Sequence, residues 1–315
     1  MVIRKIHPEG SGYTVLNQEP PWKKFYTDNT TRFQISDGLL KTIDFPLKRY
    51  VTLDNDTITR FVFVTAASNS FMAGVIDGIA SVQKYYPGRS IVFYDLGLTA
   101  RNKKRILELC DVEYRIFNFS KYPEHVHHLK SYTWKPLIIY EVLREHPGLF
   151  WMDASARLLS SNVNMTHTKL FATDGILLFN FAGHNTFVVT HKTMYDYLPT
   201  NLTEMQRIYQ YEANIMVIFG TKTVFDDVIK WWVFCALIER CMAPVYAVSC
   251  RKTPPDVYAG CHRYDQSAIN ILLANKFHFD YKIYAKHYDN FEVIRRQNNG
   301  KGTPRICPKT TPNVG

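Results

Sequence analysis

Strand-like and helix-like segments alternate along the first half of the chain. The continuous apolar runs at 61–65, 91–95 and 149–152 are typical of strands buried on both faces, and a further strand is predicted at 114–117. Helices are predicted between them, at 71–85, 100–110 and 134–145. Such strand–helix–strand units predict an α/β fold of the Rossmann-like kind, a mostly parallel sheet flanked by helices in a single domain.

The pattern is less regular after about residue 160. Three further runs are strand-like and two further segments are helix-like. The predicted strands are 176–179, 187–190 and 215–219, and the predicted helices are 222–240 and 264–275.

The two ends of the chain differ in composition from the middle. Residues 1–58 are rich in Pro, Asn, Asp, Thr and Lys, which predicts an N-terminal stem or extension that packs onto the core late, if at all. Residues 296–315 are polar and predict a tail, with Cys307 as the point that could fix it. The predicted domain is therefore 59–295.

Basic residues outnumber acidic ones, 38 to 28, which favours an anionic partner such as nucleic acid, lipid headgroups or a phosphorylated small molecule. The densest clusters, 101–105 and 295–296, contain no interleaved aromatic residues. They are interpreted as solvated faces, and nucleic acid is not expected as a partner.

Six cysteines are present, and four of them fall between 235 and 261 at spacings that match no standard zinc pattern. Their even number favours disulfides in an oxidising compartment, with free thiols packed in a core as the alternative. Five Asn-x-Ser/Thr acceptor sequences also favour the secretory pathway. They begin at Asn29, Asn55, Asn118, Asn164 and Asn201.

The expected location is the Golgi or ER lumen, for a secreted or type II anchored protein. No apolar run is as long as a membrane span, and the first residues do not read as a signal peptide. The expectation is therefore that an anchor or targeting segment is missing from this sequence, with a cytoplasmic protein as the alternative.

Ligands of open parallel sheets bind where the strands end, and three predicted strand ends are polar. One is the run Thr65, Ala66, Ala67 and Ser68, another is Asp95, and the third is Asp153-Ala154-Ser155. The first lacks the Gly-x-Gly-x-x-Gly pattern, which argues against a dinucleotide-binding site. Asp153 directly follows the buried run Leu-Phe-Trp-Met, so its carboxylate could hold a divalent cation or could cap the following turn.

The strand end Trp151-Met152-Asp153-Ala154-Ser155 and the later run 264–270, Tyr-Asp-Gln-Ser-Ala-Ile-Asn, resemble the nucleotide-diphospho-sugar transferases of the GT-A fold. Within that fold they are similar to the glycogenin-like group, which has Asp-x-Asp at this strand end and an Asp-Gln pair on a later helix. The chain looks closer still to poorly characterised invertebrate proteins with a Trp-Met-Asp-x-Ser strand end. The resemblance spans about 60–290, but only these two short motifs are specific.

The resemblance implies a donor site made from these strand ends. The residues Thr65, Ala66, Ala67 and Ser68 would line the pocket for the base and ribose, and Asp95 lies at the neighbouring strand end. Asn214 would approach the donor sugar, and Asp265 and Gln266 would lie near its anomeric carbon.

The resemblance also implies a site for Mn²⁺ or Mg²⁺. Asp153 would be a ligand, Ser155 stands where the family has its second aspartate, and His287 would complete the site, with His262 as the alternative. One carboxylate fewer predicts weak metal binding or none. A metal-independent enzyme would need cations for the diphosphate, and Lys135 and Arg157 are the candidates.

The histidines at 125, 127 and 128 form another cluster of candidate metal ligands. They lack the His-x-x-x-His spacing of metal ligands on a helix, so they are not interpreted as a metal site.

The function predicted is that of a glycosyltransferase, moving a sugar, hexosyl or related, from a nucleotide diphosphate donor to a hydroxyl of a glycan or protein. The alternative is a catalytically degenerate transferase fold that binds glycans or acts as a scaffold, because the second aspartate is missing.

Overall fold

A seven-stranded sheet forms the centre of the molecule. The computed structural model describes residues 33–161, 167–246, 249–286, 291–293 and 302–307. The sheet order is β10-β6-β9-β4-β1-β2-β3, and only β9 runs antiparallel to its neighbours, β4 and β6. The seven strands are β1 (Phe61–Ala67), β2 (Ile91–Asp95), β3 (Val112–Ile116), β4 (Gly148–Met152), β6 (Ile176–Phe179), β9 (Ile215–Phe219) and β10 (Ala285–Lys286). The prediction of a mostly parallel sheet is confirmed.

Two small antiparallel sheets lie beside the large one. One pairs β5 (Ala156–Leu158) with β11 (Phe291–Val293), and the other pairs β7 (Phe181–Asn185) with β8 (Tyr209–Tyr211).

Helices cover both faces of the large sheet, as predicted. The longer helices are α2 (Met72–Tyr85), α3 (Ala100–Leu107), α4 (Trp134–Leu143), α9 (Lys230–Leu237) and α11 (Tyr264–Lys276). The shorter ones are α1 (Asp37–Thr42), α5 (His167–Ala172), α6 (Lys192–Tyr197), α7 (Leu202–Met205), α8 (Lys222–Val224), α10 (Glu239–Met242) and α12 (Tyr281–Tyr284). Alternate residues of β1 belong to two different apolar clusters, one shared with α4, α9 and α11 and the other with α2. The central strands therefore consist almost entirely of apolar residues because both their faces are buried.

The prediction of a strand at 187–190 is wrong. Phe187–Val189 forms a single 3₁₀ turn, which Asn185 closes by accepting the Val188 N–H at 2.9 Å. Val188 and Val189 are buried against a small cluster that contains Ala259 and Cys261. The apolar run is thus explained by burial outside a sheet.

The single helix predicted at 222–240 is also wrong. The segment begins with α8, continues as a π-helical turn over Phe225–Ile229, and then forms α9. Ile238 has extended backbone angles and separates α9 from α10. A disulfide between Cys235 and Cys241 spans this break.

Parts of both predicted flanks contact the core. Phe33, Ile43 and Leu47 belong to the larger apolar cluster, so residues 33–47 are not detached from the domain. At the other end, the disulfide Cys110–Cys307 joins the predicted tail to the end of α3, as the sequence suggested for Cys307. The domain boundaries themselves stay predictions.

All six cysteines are paired, the third disulfide being Cys250–Cys261. Among the helices of the described ranges, none combines the length and the apolarity needed to cross a membrane.

Candidate functional site

Three polar residues form a row across neighbouring strands at one edge of the sheet. Asp153 follows β4, Asn214 precedes β9, and Asn180 follows β6. The Asp153 N–H donates to the Asn214 carbonyl at 2.7 Å, and Asn180 Nδ2 donates to Asn214 Oδ1 at 3.5 Å. The register explains this row, because Trp151 and Leu178 both face Met216 across the antiparallel strand β9. We call these three residues the polar row.

Helix α2 presses closely against the turn that follows Asp153. A Cβ atom on Gly74 would lie 2.4 Å from the Ala154 carbonyl oxygen, and one on Gly78 would lie 2.8 Å from the Ala156 carbonyl oxygen. Only glycine allows this approach, so the Gly-x-x-x-Gly spacing of α2 fixes where the chain leaves β4. The turn is closed by the Ala156 N–H, which donates to the Asp153 carbonyl at 2.8 Å.

A buried lysine connects the strand end to helix α11. Lys135 is only 2% exposed, and its Nζ lies 3.0 Å from Asp153 Oδ1 and 2.8 Å from Asp265 Oδ2. It also donates to the Ala213 carbonyl at 2.9 Å. Lys135 thus combines one hydrogen bond, to Ala213, with two ion pairs, to Asp153 and Asp265. We call Lys135, Asp153 and Asp265 the buried ion triad.

Burial and charge act against each other within the ion triad. Burial lowers the pKa of the Lys135 ammonium, but the carboxylates of Asp153 and Asp265 outweigh it, and the net shift is upward. Burial raises the pKa of Asp265 to about 6, although Lys135 lowers it. Lys135 therefore stays charged at neutral pH, and Asp265 takes up a proton at a higher pH than an ordinary aspartate does.

The accessible carboxylate of the triad is Asp153. Its side chain is 23% exposed, whereas that of Asp265 is 5% exposed. Asp153 Oδ1 accepts from Trp151 Nε1 at 2.7 Å as well as from Lys135. Its Oδ2 accepts no hydrogen bond from any described residue, so this atom is available to a ligand.

The amides of α11 hold the segment that leads into β9. Asn270 accepts the Tyr211 N–H at 2.9 Å and donates to the Tyr211 carbonyl at 2.7 Å. Gln266 accepts the Ala213 N–H at 3.4 Å and donates to Gln210 Oε1 at 2.6 Å. In this arrangement Gln266 therefore positions the chain around Ala213, which is the residue that also accepts from Lys135.

The residues predicted for the base and ribose pocket lie mostly inside the sheet. Thr65, Ala66 and Ala67 are buried residues of β1, and Ser68 is the first residue beyond it. Asp95 closes its own loop, because its Oδ1 accepts the Gly97 and Leu98 N–H groups at 2.7 Å and its Oδ2 accepts the Tyr114 hydroxyl. Of these, only Ser68 is accessible enough to meet a nucleotide.

The two cations predicted for the diphosphate both lie next to carboxylates of the protein. Lys135 is ion-paired with Asp153 and Asp265 and donates to the Ala213 carbonyl. Arg157 lies in β5, and its Nη2 is 3.9 Å from the buried carboxylate of Asp77 on α2. Both cations are thus paired with carboxylates of the protein, and a role for them in binding a diphosphate stays a prediction.

The described residues do not fit a divalent-cation site. No group of three His, Cys, Asp or Glu side chains within the described ranges is close enough to hold a metal ion. The alternative ligand His262 is excluded, because its Nδ1 accepts the His191 N–H at 3.1 Å and its Nε2 faces the Met242 carbonyl at 3.0 Å. Burial lowers the pKa of His262 to about 3, so it is neutral. His287 lies outside the described residues.

A family described as a protein of unknown function (DUF1647) matches residues 36–140. No curated protein sequence matches the chain.

Solved structures with a similar arrangement of elements include several glycosyltransferases. The galactosyltransferase LgtC in complex with donor and acceptor sugar analogues is 14% identical, over 72% of this chain and 73% of that one, with a TM-score of 0.38. Core-mannan synthase A from Aspergillus fumigatus, in its Mn/GDP form, is 9% identical over 84% and 82%, with a TM-score of 0.45. The bifunctional glycosyltransferase WbbM is 12% identical over 76% of this chain and 40% of that one, with a TM-score of 0.40. At these identities and scores the similarity does not identify a function for this chain.

Sequence reasoning missed the ion triad and Asn180. The signal for the first was present, because Lys135 is a lone charge in the apolar run Trp-Lys-Pro-Leu-Ile-Ile that begins α4. A lysine at a buried helical position requires an acceptor nearby, and two predicted site carboxylates were available. Asn180 gave no signal beyond its place after a strand.

Proposed function

We propose that this protein transfers a sugar from a nucleotide diphosphate donor to a hydroxyl group of a glycan or protein. The observation that carries the proposal is the buried ion triad, which ends on an accessible carboxylate at the carboxyl edge of β4. This is the edge at which open α/β sheets bind their ligands. A buried lysine between two carboxylates costs desolvation energy and is weak evidence for a purely stabilising role.

The polar row supplies the kind of contacts that a sugar requires. Sugar hydroxyls both donate and accept hydrogen bonds, and carboxamides and carboxylates offer both partners. The backbones of Asp153 and Asn214 are hydrogen-bonded at the edge, and the side-chain amides of Asn180 and Asn214 contact each other. In the proposal these groups bind the donor sugar, Asp265 lies behind them, and Lys135 keeps both carboxylates in place.

Charge on the departing diphosphate must also be balanced, which a divalent cation does in many transferases. The described residues contain no group of three His, Cys, Asp or Glu side chains that could hold such an ion, so no step of the proposal depends on one. Metal dependence is instead a measured variable of the test.

The proposal is tested by incubating the purified protein with a panel of UDP- and GDP-sugars, with Mn²⁺, with Mg²⁺ and with EDTA. Release of the nucleoside diphosphate is the expected result. Asp153→Asn should reduce that rate by roughly a hundredfold or more, as expected when a group acting on the reacting centre is removed. Asp226→Asn, at a surface carboxylate paired with Lys222, is the matched control and should keep the rate.

A wild-type protein that neither hydrolyses any donor nor shows a thermal shift with any nucleoside diphosphate would refute the proposal. The second candidate function would then apply, a degenerate transferase fold that binds glycans. The observation that favours it is the lack of a metal-binding group among the described residues, together with Ser155 at the position of a second aspartate. It predicts glycan binding that is unchanged in Asp153→Asn.

We also infer a secretory-pathway lumen as the compartment, supported by the pairing of all six cysteines in disulfides. Protein isolated from its native source under alkylating conditions should contain no free thiol. Six alkylated cysteines would instead indicate a reducing compartment.

A further inference from the structure

A group of aromatic rings, two of them exposed, lies on the chain segments that adjoin the polar row. Phe181 follows Asn180 in the chain and is 43% exposed, and Tyr209 on the neighbouring strand is 50% exposed. Their ring centroids are 4.7 Å apart, and Tyr281 lies 5.6 Å from Tyr209. We call Phe181, Tyr209 and Tyr281 the aromatic platform. Among the large exposed apolar residues of the described ranges, Phe181 and Tyr209 are the two whose rings contact each other.

Packing within the protein explains only part of this arrangement. A diagonal aromatic pair stabilises a two-stranded sheet, and Tyr281 also contacts the buried ring of Tyr211 from α12. Neither contact requires half of the Tyr209 ring to face solvent. The hydroxyls of Tyr209 and Tyr281 form no hydrogen bond with any described residue, so they can bond to a ligand.

The chemistry of the platform matches a pyranose ring. A sugar presents an apolar C–H face, which packs on an aromatic ring, and hydroxyls at its rim, which bond to groups such as a tyrosine O–H. Three rings offer far less area than the roughly 800 Å² that each partner buries in a stable protein complex. A saccharide is therefore the occupant that fits both the size and the mixed polarity of the surface.

The backbone connects the platform to the polar row on both of its strands. Phe181 directly follows Asn180, and consecutive Cα atoms are about 3.8 Å apart. On the other strand, the Glu212 N–H donates to the Asn180 carbonyl at 2.9 Å, two residues before Asn214. The platform and the row proposed to bind the donor sugar are therefore carried by the same two adjoining chain segments.

We propose that the aromatic platform is the acceptor subsite, and that the acceptor is a glycan whose terminal or penultimate pyranose stacks on Phe181 and Tyr209. This assignment rests on the proposed glycosyl transfer for its role. The binding itself does not, because it is measured without any donor.

The test is saturation-transfer NMR and calorimetry with lactose, cellobiose, chitobiose and mannobiose, in the absence of nucleotide. Wild-type protein should bind at least one of the four. Tyr209→Ala and Phe181→Ala should each weaken that binding about three- to tenfold, the loss expected for one aromatic contact. Tyr209→Trp should restore it, because it restores the stacking surface. Tyr246→Ala is the matched control, an aromatic residue that is 46% exposed outside the platform.

Two results would overturn the assignment, namely no binding of any of the four disaccharides, or equal binding by wild type, Tyr209→Ala and Phe181→Ala. Circular dichroism and the midpoint of thermal unfolding show for each variant whether a loss of binding is caused by misfolding. Where an alanine variant is misfolded, Tyr209→Trp decides whether the platform binds the disaccharide. Failure of the proposed transfer is recognised separately, because donor hydrolysis by the wild type needs no acceptor. Platform-dependent binding by a protein that neither hydrolyses a donor nor shows a thermal shift with any nucleoside diphosphate would support a saccharide site at the platform and refute the transferase.

Discussion

Replacing Lys135 with methionine is the most direct perturbation of the candidate site. Methionine keeps the length and the apolar body of the lysine side chain, which is 2% exposed, and removes only the charge, its two ion pairs and its hydrogen bond to Ala213. The carboxylates of Asp153 and Asp265 are then left close together without the cation between them. The Ala213 carbonyl also loses its donor.

The magnitude follows from the burial of the pair. Removing one partner of a buried ion pair leaves an uncompensated charge and costs about 3–5 kcal/mol of unfolding free energy. Asp265→Asn should cost less, because Lys135 keeps Asp153 and the Ala213 carbonyl as partners and because burial favours the uncharged form of Asp265. The double variant lacks both the Lys135 ammonium and the Asp265 carboxylate. Its loss of unfolding free energy should therefore be smaller than the sum of the two single losses, by about 0.5–3 kcal/mol.

The assay is urea unfolding at pH 8, with the disulfides intact, of the wild type, the two single variants and the double variant. Lys222→Met is the control, since its ion pair with Asp226 is at the surface and its loss should change the unfolding free energy little. A cost for Lys135→Met no greater than that of Lys222→Met would refute the buried ion triad. Strictly additive costs would show that Lys135 and Asp265 do not interact.

Three further measurements test other parts of the structure. Gly74→Ala should lower both the unfolding free energy and donor turnover, because the added Cβ would lie 2.4 Å from the Ala154 carbonyl oxygen. Gly38→Ala is the control and should leave both quantities unchanged, because Gly38 is exposed and the atom nearest to its added Cβ is 3.9 Å away. Replacing both Cys110 and Cys307 with serine should cost about 2–5 kcal/mol in urea unfolding, since the disulfide closes a loop of 197 residues in the unfolded chain. The pKa of Asp265 is raised in the folded state to about 6, so the unfolding free energy should fall by roughly 2–3 kcal/mol as the pH rises from 4 to 6. Asp265→Asn should abolish this contribution to the pH dependence of the unfolding free energy.

The alternation of apolar runs was enough to predict the sheet, because strands buried on both faces must be continuously apolar. The runs at 61–65, 91–95 and 149–152 all became central strands, within two residues of the predicted bounds. The same signal failed at 187–190, where Val188 and Val189 are buried without a strand partner. An apolar run records burial, and burial alone does not distinguish a strand from a turn.

The breaks in the second half of the fold depend on contacts that are distant in sequence. Nothing between 222 and 240 is a proline or glycine, yet the segment contains a π-helical turn and an extended residue at Ile238. Helix propensity predicts one continuous helix there, and tertiary packing overrides it.

The candidate site was predictable only where it depends on the local sequence. The place of Asp153 follows from local pattern, since a polar residue directly after a buried strand must lie at the edge of the sheet. That Lys135 and Asp265 meet there is a long-range fact, because they are far apart in the chain and come together only through the packing of α4 and α11. The positions of Asp95, Arg157 and the β1 residues also depend on their particular partners.

The ion triad implies that Lys135 and Asp153 have different roles in the candidate site. Lys135 is ion-paired with Asp153 at the end of β4 and with Asp265 on α11, and it donates to the Ala213 carbonyl on the segment before β9. It therefore holds these three elements together, while Asp153 has Oδ1 in this network and its Oδ2 without a hydrogen bond from any described residue. Asp153→Asn keeps an acceptor for Trp151 and removes only the charge, so it separates the chemistry of the carboxylate from the architecture that holds it. A loss of donor hydrolysis in Asp153→Asn with an unchanged fold would place the chemistry at that exposed oxygen, and a loss of fold would place Asp153 with Lys135 among the positioning residues.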